Sequence, residues 1–150
     1  MIEIIRTDSS NNDFRFLISQ LDNELHERYS EIQNFYDKHN IIEFNQNVVV
    51  AYCDKIPAGS GCFKKFDAET VEIKRMFVLK DYRGKGISKN VLKELENWAV
   101  EEGFKKAVLE TGVNQQEAIG LYSKSMYKRI DNYEPYTGLE TSICMLKELF

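Results

Sequence analysis

Arg83-Gly84-Lys85-Gly86-Ile87-Ser88 stands between an apolar segment, residues 71–79, and an amphipathic one, residues 87–102. A strand that runs through two closely spaced glycines into a helix has few ways to fold. The glycines supply backbone conformations that other residues resist, and the helix begins with N–H groups that no carbonyl of its own can satisfy. Those N–H groups and the helix dipole point at one place, so the junction is built to receive an anion, and a phosphate is the natural one.

The flanking pattern extends this unit in both directions. Ile2 to Ile5 read as a strand, followed by the polar break Thr7-Asp8-Ser9-Ser10-Asn11-Asn12 and a helix beginning near Asp13, with Phe14, Leu17, Ile18, Leu21 and Leu25 at helical spacing. A second short helical piece is expected around Ile32, Phe35 and Tyr36. The β-branched run at 48–53 and the segment at 58–66, separated by Asp54-Lys55-Ile56-Pro57, read as an antiparallel hairpin. Residues 71–79 add a third strand, whose regular alternation places Val71, Ile73, Arg75 and Phe77 on one face and Glu72, Lys74, Met76 and Val78 on the other. From Ile87 the period changes to 3.6 (Ile87, Val91, Leu92, Leu95, Trp98, Ala99), until Gly103 stops it. A buried strand at 107–111, a helix at 115–126, a turn-rich tail with Tyr133, Pro135, Tyr136 and Gly138, and a last strand at 142–146 complete the reading. The class is α/β (α+β), with a strand–helix–strand–helix unit around the glycine loop.

Composition removes several functions. At 150 residues with 43% hydrophobic residues, the chain fits a single domain, 1–150, with one sizeable core. A formal net charge of −4 gives no basic footprint for nucleic acid, and no apolar run approaches the roughly 20 residues that span a bilayer. A soluble, cytoplasmic protein without membrane contact is expected. Cys53, Cys62 and Cys144 are odd in number and form no C-x-x-C pair, which favours buried reduced thiols over disulfides or zinc. His26 and His39 have no third ligand at metal spacing, so no metal is expected.

The loop can be compared with three phosphate signatures. A Walker loop, G-x-x-x-x-G-K-[ST], does not occur, and a dinucleotide fingerprint fails at Lys89, where a third glycine or alanine is needed. The third pattern is R/Q-x-x-G-x-G/A, the acetyl-coenzyme A signature of the GNAT superfamily of N-acetyltransferases. Arg83 and Gly86 match it, and Ser88 replaces its last residue. The context is similar as well. Glu72-Ile73-Lys74-Arg75-Met76-Phe77-Val78 precede the loop, and Leu109-Glu110-Thr111-Gly112, Asn114 and Ala118-Ile119-Gly120-Leu121-Tyr122 follow it. The chain resembles that superfamily over residues 45–130, and more loosely outside them. A second departure is Ser125-Met126-Tyr127, where the family often has a glycine followed by an aromatic residue.

The resemblance implies a mixed, mostly antiparallel central sheet flanked by helices. It implies transfer of an acetyl group from acetyl-coenzyme A directly to a primary amine of a small molecule or peptide. The pantetheine arm would pair with the backbone of Met76, Phe77 and Val78, one of whose N–H groups would face the oxyanion. The pyrophosphate would rest on Arg83, Gly84, Lys85, Gly86, Ile87 and Ser88. Tyr122 corresponds to the tyrosine that protonates the coenzyme A sulfur, and also lies along the coenzyme site. Its alternative is a core tyrosine on an amphipathic helix. Glu72 and Glu110 both correspond to positions used as the base. Glu72 shares a face with Met76 if the alternation is regular and is slightly favoured, whereas Glu110 needs a reason to lie in an apolar strand. Asn114 is either a coenzyme contact or the N-cap of the next helix.

The acceptor site would be shaped by the N-terminal helices and the tail, where aromatics stand beside Glu24, Glu27, Glu31 and Asp37, a setting that suits an amine or a basic peptide as readily as a solvated face. Family resemblance also admits a homodimer through a sheet edge or the last strand. The rival reading is a non-catalytic acyl-coenzyme A sensor, which would retain the loop and dispense with Glu72, Glu110 and Tyr122.

Overall fold

A computed structural model describes residues 1–28 and 44–149, with no side-chain description for residues 26–28. The expected helical piece at Ile32, Phe35 and Tyr36 lies outside the described residues, as do Glu31, Asp37 and the side chains of His26, Glu27 and His39.

In chain order the elements are β1 (Ile2–Thr7), α1 (Asn12–Arg28), β2 (Asn47–Cys53), β3 (Ile56–Lys65), β4 (Thr70–Val78), a short 3-10 turn (Lys80–Tyr82), α2 (Ile87–Glu101), β5 (Lys106–Gly112), α3 (Gln116–Lys124), β6 (Lys128–Ile130) and β7 (Ser142–Glu148). They form one seven-stranded sheet in the order β1-β2-β3-β4-β5-β7-β6. Every neighbouring pair is antiparallel except β4 and β5, which are joined through α2 and run parallel. The last strand therefore inserts between β5 and β6, and the edges of the sheet are β1 and β6.

The run Val48-Val49-Val50-Ala51 explains why helices cover both faces. Val49 and Ala51 join a core with Val91, Leu95 and Ala99 of α2, while Val48 and Val50 join a second core with Phe14, Leu17, Ile18 and Leu21 of α1. A strand that alternates apolar residues on both sides must be buried on both sides. Cys53, Cys62 and Cys144 are buried free thiols.

The regular alternation expected for residues 71–79 does not hold. Cys62 is paired with Lys74 and Ser60 with Phe77, so Gly61 alone faces both Arg75 and Met76. This is a β-bulge, and Arg75 adopts φ of 60° to make it. Beyond it the faces exchange: Val71 and Ile73 belong to the α2 core, but so do Met76 and Val78, while Phe77 packs with α1. Glu72 and Met76 are consequently on opposite faces. Gly61 makes room for the shift, because a Cβ there would come within 2.5 Å of Met76 Sδ.

Gly59, one turn of the pleat away, lies under the start of α2. A Cβ at Gly59 would stand 2.8 Å from Ile87 Cγ2 and 3.1 Å from the Phe77 carbonyl, neither of which is a flexible chain end. Gly59→Ala is expected to lift Ile87 off the sheet and lower stability by about 1–3 kcal/mol, read as a drop in urea midpoint at unchanged slope.

Candidate active site

β4 and β5 are zipped only from Thr70–Lys106 to Ile73–Leu109. β4 then continues through the bulge to Val78, and β5 continues to Gly112 paired with β7 on its other side. Past Ile73 the two parallel strands part, and a cleft opens in the middle of the sheet.

Two cavities occupy it. One, about 110 Å³, is walled by Glu72, Lys74 and Arg75 of β4, Glu110 of β5, Tyr122 of α3 and Tyr136 of the tail. The other, about 270 Å³, runs beside Met76, Phe77 and Val78 to Arg83, Gly84, Gly86, Ile87, Ser88 and Lys89. Leu21, Leu25, Met76, Gln115, Ala118 and Tyr122 border both, so the two spaces meet at Tyr122.

The loop has the geometry its glycines require. Gly84 and Gly86 take φ of 82° and 79°, and Gly86 caps α2 in the left-handed conformation. The first intrahelical bond runs from the Asn90 N–H to the Gly86 carbonyl at 3.1 Å, and no side chain caps the helix. The N–H groups of Ile87, Ser88 and Lys89 thus precede the helical ladder at the end of the larger cavity, which is an arrangement for an anion.

The basic residues of the loop behave differently from one another. Arg83 turns back to the protein: its Nε donates to the Val78 carbonyl at 2.9 Å, its Nη2 donates to Glu24 Oε2 at 2.6 Å, and its guanidinium stands over the Phe77 ring. It braces the loop between β4 and α1. Lys85 lies over the Tyr82 ring and does not border either cavity, whereas Lys89, which interrupts the dinucleotide pattern, does.

The two glutamates have different surroundings. Glu72 is 6% exposed, accepts a hydrogen bond from Tyr133 Oη at 2.9 Å, and has Lys64 Nζ at 3.9 Å. Glu110 sits where the strands part, half-buried in the cavity wall. Burial pushes its carboxyl up to about 7, against the opposing pulls of a hydrogen bond with Ser142 and the charge of Lys74, with Glu72 adding to the rise. Tyr122 is 6% exposed, and its phenol is pushed well above the usual tyrosine range, first by burial and then by the Glu110 carboxylate.

A buried network stands behind Tyr122. Its ring meets that of Tyr127 edge-on at 5.8 Å, Tyr127 Oη donates to Glu96 Oε2 at 2.9 Å, and Lys147 Nζ donates to Glu96 Oε1 at 2.8 Å. The aromatic at 127 fixes one side of the Tyr122 ring, so the sequence Ser125-Met126-Tyr127 keeps a function for its last residue.

Asn114 is exposed and borders neither cavity, and α3 is capped at Gln115. Gln115 itself was not distinguished in the sequence. Its Oε1 accepts the Gly112 N–H at 2.9 Å and the Thr111 hydroxyl at 3.2 Å, which fixes the end of β5 as the chain turns into α3. No residue pattern marks such a glutamine in advance. Of the tail, Tyr133 bonds Glu72, and Tyr136, 2% exposed, stands in the cavity wall. Among the described residues, no helix is long and apolar enough to cross a membrane, and no cluster of three His, Cys, Asp or Glu could hold a metal.

The family model "Acetyltransferase (GNAT) family" matches residues 12–126, and the chain belongs to that family. Among relatives, an IAA acetyltransferase of Azospirillum brasilense is 32% identical over 136 residues, 89% of this chain and 88% of that one. Of two further relatives, from Xenopus tropicalis and Escherichia coli, the matched region spans only 30% and 62% of the length. Solved structures share the fold. One from Klebsiella pneumoniae has a TM-score of 0.82 at 24% identity, covering 100% of this chain and 99% of that one. PaiA N-acetyltransferase of Thermoplasma acidophilum, solved with coenzyme A, has a TM-score of 0.68 at 19% identity, covering 99% of each chain.

Two outcomes follow from this geometry. A double-mutant cycle of Arg83→Ala and Glu24→Ala should show coupling of about 0.5–1 kcal/mol in urea unfolding, since both side chains serve one partly exposed brace. For Glu110, the folded carboxyl at about 7 lies above its ordinary value of 4.5 in the unfolded chain. Its protonation favours the folded state below that unfolded value, and the benefit is lost as pH rises through 7. Glu110→Gln should therefore match the parent in stability near pH 4 and exceed it, by order 1 kcal/mol, at pH 8.

Proposed function

We propose that the chain is an N-acetyltransferase that moves the acetyl group of acetyl-coenzyme A directly to a primary amine of a small molecule or peptide. The single observation that carries this reading is the meeting of the two cavities at Tyr122. One cavity ends at three uncapped helix N–H groups suited to a pyrophosphate, and the other holds a carboxyl whose affinity for protons matches a general base near neutral pH. The coenzyme A in the Thermoplasma neighbour and the family's name support the same assignment.

The parted edge of β4 offers Met76, Phe77 and Val78 backbone groups to the pantetheine arm as an added strand would. One of their N–H groups faces the thioester oxygen. The amine, deprotonated by Glu110 directly or through one water, forms the C–N bond and drives charge onto that oxygen, where the N–H stabilises it. Collapse breaks the C–S bond, and Tyr122 gives its proton to the departing thiolate. Burial raises the basicity of Glu110 and keeps Tyr122 protonated, and the same exclusion of water raises the proton affinity of the thiolate that departs beside it. Glu72, held by Tyr133, shapes the wall and supplies negative charge near the amine.

Coenzyme A release should appear on mixing the protein with acetyl-coenzyme A and a panel of amines and N-terminal peptides. The rate constant at low acceptor concentration should fall tenfold per pH unit below about 7 and flatten above it, because only the Glu110 carboxylate is the base. Glu110→Gln should lose about 10²-fold or more together with that acidic limb, and Tyr122→Phe should lose about 10²-fold while keeping the limb. Binding of acetyl-coenzyme A with no turnover on the whole panel would favour the sensor instead.

A further inference from the structure

Lys74 points to the class of acceptor. It lies on β4 beside the bulge, borders the smaller cavity together with Glu72 and Glu110, and is half-buried. Its neighbours in the cavity wall have their charges engaged: Arg75 Nη1 is 2.9 Å from Asp22 Oδ1, and Glu72 accepts from Tyr133. Among the described residues, the Lys74 ammonium makes no hydrogen bond and no ion pair. Burial lowers its pKa, against the pull of Glu72. An ammonium held in a half-buried cavity wall without a paired anion is a cost to the fold, and such costs are retained where a ligand repays them.

Resting on the acetyltransferase reading above, we propose that Lys74 binds a carboxylate of the acceptor, and that the acceptor is an amino acid or a similar small amine with a carboxylate close to its reacting nitrogen. Three observations converge on this. The anion is not the coenzyme's pyrophosphate, since Lys74 does not border the cavity that reaches the glycine loop. The space at Lys74, about 110 Å³, has Lys74, Glu72 and Glu110 in one wall, so a single small molecule can meet all three. The same cavity presents a cation at Lys74 and carboxylates at Glu110 and Glu72, a charge pattern complementary to a carboxylate and an amine carried on one molecule. A simple amine would meet Lys74 as a like charge.

The test uses the full chain with the common L-α-amino acids and their carboxamides, which keep the amine and remove the anion. One arm measures equilibrium binding of each pair in the presence of coenzyme A, and the other measures coenzyme A release from acetyl-coenzyme A at pH 8, where Glu110 is ionised. At least one acid should bind about 10- to 100-fold more tightly than its amide, a charge-assisted hydrogen bond being lost in the latter. In Lys74→Met that ratio should fall to near 1, with Lys74→Arg restoring part of it, and the thermal midpoint of Lys74→Met should be no lower than the parent's. Acid-selective binding with no turnover would overturn the acetyltransferase reading and keep the carboxylate site. Binding of no acid on the panel, equal use of acids and amides, or a Lys74→Met variant that keeps the preference or loses both substrates alike, would overturn the proposal.

Discussion

The parting of β4 from β5 after Ile73 and Leu109 is the constraint on which the rest of the structure depends. Parallel strands inside a sheet normally stay paired, because unpaired backbone groups in the interior are costly. Here β4 leaves its partner with a full edge of backbone exposed to a cleft, and the sheet survives because β3 holds the other edge and β7 holds β5. The bulge at Arg75 and Met76 accompanies the separation, and Gly61 is the residue that lets Met76 settle into the α2 core. Without the parting, Glu110 and Tyr122 would have no cavity to border.

Around this opening the protein invests polar groups in the interior and secures nearly all of them. Glu96 is bound by Tyr127 and Lys147 and Glu72 by Tyr133, while the partly exposed Arg83 is held by Glu24 and Val78. These contacts immobilise the walls. Glu110 and Lys74, both burdened by burial, border the cavity beside Glu72. Perturbed groups concentrated in a cleft, with rigid partners behind them, are the arrangement expected of a site that does chemistry.

Much of this could be read from the residues. The glycine loop, the helix after it and the buried strand with its unusual Glu110 are signals with a direct physical meaning, and the fold class followed from them. The bulge is hard to see in the residues because β4 is buried on both faces near Val78, so a shift of phase there leaves the apolar pattern nearly unchanged. Its trace was Arg75, a charge assigned to the face of Val71, Ile73 and Phe77, and the bulge is what frees Arg75 to reach Asp22. β6 left no trace, since Lys128, Arg129 and Ile130 become a strand only by pairing with β7. Arg83 was legible as a loop residue, but its use as a brace depends on Glu24, 59 positions earlier in the chain. Gln115 takes its setting from the turn of β5 into α3, and Lys74 from the cavity that the fold assembles around it.

The central claim is that one cleft, opened by the parted strands, brings the thioester to Glu110 and Tyr122. A crystal structure with coenzyme A measures this most directly. The pyrophosphate should lie on the N–H groups at 87–89, the pantetheine should hydrogen-bond the β4 edge at residues 76–78, and the thiol should lie within hydrogen-bond reach of Tyr122 Oη. Coenzyme A seated outside this cleft, or with its sulfur directed away from both Tyr122 and Glu110, would contradict the account.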